Sequence, residues 1–113
     1  MSDDSLPTGL WIESHIAQCQ SNCIPVYVMN KGAYAGGTVL IKINGLENGC
    51  QILTQIRDMD GKLGWMHALG KEDVAEADID AYIRRSIDRD PDVWAIEIED
   101  RELKNPFGGD IVG

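Results

Sequence analysis

The sequence predicts an α+β domain, a two-layer sandwich in which a mostly antiparallel sheet of about five strands carries two helices on one face. Three observations lead there. Short β-branched runs such as TVLIKIN, residues 38–44, alternate with turn signals, Asn48-Gly49 and Asp60-Gly61 among them, as strands joined by hairpins do. Two longer stretches repeat apolar residues at helical spacing, the mark of amphipathic helices. Their order, α-β-β-β-β-α-β, supplies two helices, enough for one layer on one side of a sheet.

Residues 1–7 read as a loose leader. Thr8 stands where an N-cap belongs, and Ile12, Ile16, Cys19 and Cys23 recur at steps of four, three and four. That stripe predicts a helix ending near Asn22, with Pro25 blocking its continuation. A first strand spans 24–29 and a loop 31–37. The second strand follows at 38–44, the third at 50–57 after an Asn-Gly turn, and the fourth at 62–67 after the turn 58–61. Strands so closely linked pair antiparallel. Past Gly70, a second helix over 76–89 gathers Ile79, Tyr82, Ile83 and Ile87 on one side and sets Asp80 four residues before Arg84, where an ion pair supports the helix. Asp90-Pro91-Asp92 stops it. Residues 93–99 then alternate, Trp94, Ile96 and Ile98 one way, Val93, Ala95, Glu97 and Glu99 the other. Residues 104–113 are rich in Gly and read as a loose tail. Nothing repeats and no linker intervenes, so the 113 residues form a single domain.

The expected core is Ile12, Ile16, Val26, Val28, Val39, Ile41, Ile43, Ile52, Ile56, Ile79, Ile83, Ile87, Trp94, Ile96 and Ile98. The other side of the same strands is half apolar. There Tyr27, Met29, Leu40 and Leu53 lie beside Lys42, Arg57, Glu97 and Glu99, with Asp100 and Arg101 following. Left open, such a face is a candidate binding surface; the alternative is that the sheet curls over it or the tail covers it.

Charge narrows the partners. The net charge is −9, and residues 72–102 alone hold twelve acids against four bases. An acidic surface repels a phosphate backbone, so nucleic acid is excluded as a partner, and a protein partner or self-association is expected. No apolar run reaches the ~20 residues of a membrane span, and the acidic start Met1-Ser2-Asp3-Asp4 is not a signal peptide. Three cysteines with no CxxC pair fit a reducing compartment, which places the chain in the cytoplasm.

Motifs for chemistry are few. No GxSxG elbow, phosphate loop or HExxH helix occurs. Glu97 and Glu99 share a strand face about 7 Å apart, a spacing suited to acid–base work, but acids so placed are more often cross-strand partners of bases such as Lys42 and Arg57. Asp88, Asp90, Asp92 and Glu99 match a calcium loop, except that Val93 occupies the position needing Gly. His15, Cys19 and Cys23 form a row of soft ligands, although three ligands over two helical turns do not converge on one ion unaided. No cofactor is expected.

The block RDPDVWAIEIEDR (89–101), with Ala81-Tyr82-Ile83-Arg84 before it and Pro106-Phe107 after it, resembles the family called domain of unknown function 1491, found mainly in alphaproteobacteria. The stretch RDMDGKLGWMHALG (57–70) and Leu10-Trp11, Cys19 and Pro25-Val26 are similar to it too. The resemblance implies a short cytoplasmic bacterial protein with no assigned activity, cofactor or catalytic residue. The leading expectation is a non-catalytic protein-interaction module. The alternative is a small enzyme or ligand-binding protein with Arg57, Arg85, Glu97 and Glu99 lining a cleft.

Overall fold

The computed structural model describes residues 6–112, so most of the expected leader and the final Gly113 lie outside the described residues. Its elements are α1 (Thr8–Ser21), β1 (Val26–Asn30), β2 (Val39–Asn44), β3 (Cys50–Arg57), β4 (Leu63–His67), α2 (Glu76–Arg89), β5 (Trp94–Glu99) and β6 (Asp110–Val112). The α+β class and the predicted order therefore hold as far as β5. The expected bounds of β3 and α2 match residue for residue, because turn glycines and the Asp90-Pro91 stop mark them sharply.

The strands form one six-stranded sheet in the order β1-β5-β2-β3-β4-β6. The β1–β5, β2–β3 and β3–β4 pairs are antiparallel, while β5–β2 and β4–β6 are parallel. The sheet is thus mixed, with one more strand than expected. The last long strand, β5, is inserted between β1 and β2.

The placement of the helices corrects the two-layer expectation. Successive residues of β2 point to opposite sides, and all five from Val39 to Ile43 are buried. Val39, Ile41 and Ile43 join Leu53, Trp65, Trp94, Ile96 and Ile98 beneath Trp11, Ile12 and Cys19 of α1. Leu40, Cys50, Ile52, Val93 and Ala95 instead pack against Ile79 and Ile83 of α2 and the preceding Val74. One helix covers each side, giving three layers. Apolar residues on both sides of a strand demand this, since each side must be taken out of water. Burying Ile79 and Ile83 contributes about 1.5–3 kcal/mol each.

Most of the expected core is buried, but Ile16, Val26, Ile56 and Ile87 are only partly so, and Val28 is exposed on the sheet edge. The tail also differs from expectation. Phe107 is buried beside Trp11 and Trp65, the Trp65 indole N–H donates to the Gly108 carbonyl at 2.7 Å, and β6 extends the sheet alongside β4.

Helix α1 ends differently from a simple stripe. Cys23 takes φ 59°, its N–H bonds to the Gln20 carbonyl, and the Ile24 N–H reaches back to Cys19. This is a Schellman closure with Cys23 at the position glycine usually fills. Ile24 packs on the core that contains Cys19, which completes the motif.

Candidate functional site

The half-apolar sheet side expected to lie open is closed by α2 over its centre. Leu40 sits under that helix, and Leu53 lies on the other side, in the α1 core. Lys42, read as a surface group, is 2% exposed. Its Nζ donates to Glu76 Oε2 and Asp80 Oδ1, both at 2.7 Å, with Glu97 Oε1 at 3.5 Å. Glu76 and Asp80 come from the first turns of α2 and Glu97 from β5, so the ammonium ties helix to sheet. Burial by itself pushes the lysine pKa down. The bonds to Asp80 and Glu76 and the charge of Glu97 overcome that, and the net shift is upward. An amine held this firmly protonated is no nucleophile. Glu97 also accepts from the Asn44 side-chain amide at 3.2 Å.

The other candidates scatter. Arg57 donates to the Gly61 carbonyl at the β3–β4 turn. Arg85 lies on the exposed side of α2, and Glu99 sits at the end of β5 beside β1. Arg57, Arg85, Glu97 and Glu99 therefore do not line one cleft. Asp100 accepts the backbone N–H groups of Glu102 and Lys104, which shapes the turn after β5. Arg101 pairs with Glu47 at 2.7 Å, both exposed.

The soft-ligand row also separates. Cys19 is buried, Cys23 leaves the helix at its left-handed cap, and His15 stacks on Phe107 with ring centroids 5.1 Å apart. Among the described residues no group of three His, Cys, Asp or Glu side chains is arranged to hold a metal ion. Burial pushes the thiols of Cys19 and Cys50 up, so both stay protonated and unreactive.

Two sheet edges remain open, the short β6 with Ile111 and Val112 exposed, and the longer β1, beyond the cover of α2. Tyr27, Val28 and Met29 are 52%, 48% and 40% exposed in consecutive positions. Because successive side chains point to opposite sides, the exposure belongs to the strand's edge and not to one sheet side. The pairing with β5 fixes what that edge offers. Val26 faces Ile98, Tyr27 faces Glu97 and Val28 faces Ile96, and the Glu99 N–H donates to the Pro25 carbonyl at 3.1 Å. Bonded and non-bonded pairs alternate along an antiparallel ladder. Pro25 and Tyr27 therefore direct their backbone groups to β5, while Val26 and Val28 direct theirs outward. A register shift between Val28 and Asn30 ends the regular stretch. The nearby Glu99 carboxylate raises the Tyr27 phenol pKa, with a smaller push from Glu97. Sequence reading found Tyr27 and Met29 but put Val28 in the core. Only the sheet order, with β1 outermost, shows why all three are exposed.

No helix among the described residues is long and apolar enough to cross a membrane. The family model for DUF1491, a protein of unknown function, matches residues 6–108. No curated protein matches the chain. The crystal structure of a DUF1491 family protein from Caulobacter crescentus CB15 is similar, with TM-score 0.81, 29% identity and coverage of 95% of this chain and 99% of that one. An NMR structure of a DUF1491 family protein from the same organism gives 0.79, 28% and coverage of 96% and 97%. The solution structure of an A. tumefaciens protein is similar in fold, at TM-score 0.68, 18% identity and coverage of 84% and 86%.

Proposed function

The chain belongs to the DUF1491 family, and we propose that it acts as a non-catalytic protein-interaction module that pairs an extended strand of another chain with β1. One observation carries this reading: Val26 and Val28 turn their N–H and C=O groups away from β5 on an edge whose side chains are apolar and exposed. Added strands bind to such edges through main-chain bonds, with side chains on both sides giving selectivity. Proteins that do not use an exposed edge usually blunt it with Lys, Pro or cover, and Val26–Asn30 has no Lys or Pro within it. The three cysteines are free thiols, which supports a cytoplasmic setting.

The test uses a proline. Val28→Pro removes an outward donor and leaves the β1–β5 bonds of Tyr27 intact, so the fold should persist. Capture of protein partners from the native cell is expected to fail for Val28→Pro while its thermal unfolding stays close to that of the parent chain. Equal capture by a folded Val28→Pro chain would overturn the proposal. Val28→Lys serves as a second, milder block.

A further inference from the structure

We infer that the strand taken by β1 is β1 of a second copy, paired antiparallel about a two-fold axis at Tyr27; this rests on the edge reading above and names its partner. The register suits such a pair. Val26 and Val28 flank Tyr27 and are the two residues whose backbone groups face outward. A two-fold axis at Tyr27 sets Val26 of one copy opposite Val28 of the other, where each such pair exchanges both backbone bonds. Tyr27 then meets its own counterpart at the close, non-bonded position, and the two half-exposed rings come together on the α2 side. The register shift after Val28 stops the ladder there, so the available segment is short and symmetric about its centre.

Charge favours the same partner. Lys31, just past one end of β1, is exposed and has no ion-pair partner among the described residues. At the other end Glu99 and Asp100 make no ion pair among the described residues and border a hollow with Cys23, Ile24, Pro25 and Arg101, the last paired with Glu47. Antiparallel pairing about Tyr27 brings the Lys31 end of each β1 to the Cys23 end of the other. Glu99 and Asp100 then lie two strands away, about 10 Å between backbones, within reach of a lysine and an acidic side chain together. The axis makes that contact twice. The result is a closed dimer with one continuous sheet, and the arrangement does not propagate because each copy has used its β1 edge.

Sedimentation equilibrium of the full chain over a hundredfold concentration range tests this. The average mass is expected to rise from one chain to two and no further. Lys31→Glu should weaken the dimer about tenfold, since two contacts turn from attractive to repulsive, and adding Glu99→Lys should restore it. Val28→Pro and Val28→Lys should leave folded monomers. A parent chain that stays monomeric throughout, or a dimer that Val28→Pro leaves intact, would overturn the self-pairing. A monomeric parent chain whose capture of another protein is still lost in Val28→Pro overturns self-pairing and leaves the edge reading standing.

Discussion

Lys42 shows how one residue can be read correctly for side and wrongly for surroundings. Its alternation with Ile41 and Ile43 put it on the side away from α1, and there it is, next to Glu97 of the neighbouring strand. What a single sequence does not display is that Glu76 and Asp80, more than thirty residues on, arrive above it. The charge that seemed to require water is met by three carboxylates. Of these, Glu97 is the most buried, its side chain 18% exposed. Lys42→Met should cost about 2–3 kcal/mol in urea unfolding, because Glu97 loses its cation in a confined site while Glu76 and Asp80 can turn to water. Adding Glu97→Gln should recover most of the loss. The pH dependence has a definite sign. The folded pKa lies above the unfolded value of about 10.4, so the lysine's contribution is complete below about pH 10 and is lost as pH rises through the raised folded value. The gap between parent and Lys42→Met midpoints should therefore narrow at alkaline pH.

Elements were legible wherever local chemistry sets them. Turn glycines bracket β3, and an Asp-Pro break closes α2, so their ends could be read from residues alone. Burial on both sides of β2 was also written in VLIKI, a run apolar at nearly every position, but the lysine in its middle disguised it. The tail was harder, because Gly108 and Gly109 look like linker while Phe107 and β6 are held by partners far off in sequence. The soft-ligand row failed for a local reason: α1 stops at Ser21, and Cys23 lies in the left-handed region. A side chain there costs about 1–2 kcal/mol relative to glycine, partly offset by the freedom glycine adds to the unfolded chain. Cys23→Gly is expected to stabilise the protein by about 0.5 kcal/mol, seen as a higher denaturant midpoint.

At the scale of the molecule, the two cores share one sheet, and β2 and β5, like β3, border both of them. Opening either strand exposes both cores at once. Hydrogen exchange should therefore be slowest in β2 and β5, near the free energy of global unfolding, and fastest in β6 and the turns before it. The strand order was the least legible feature, since pairing between residues so distant in sequence leaves no local mark. It has a consequence for how the protein is made. On the ribosome the chain emerges from its N-terminus, and β1 and β2 are synthesised long before β5, the strand that must lie between them. A nascent chain can fold the β2–β3–β4 meander early, but β1 has no neighbour until residue 99 has left the tunnel. For that interval, several seconds at ordinary rates of synthesis, an apolar strand waits with both edges bare. The vulnerable step for this protein is therefore the wait for β5.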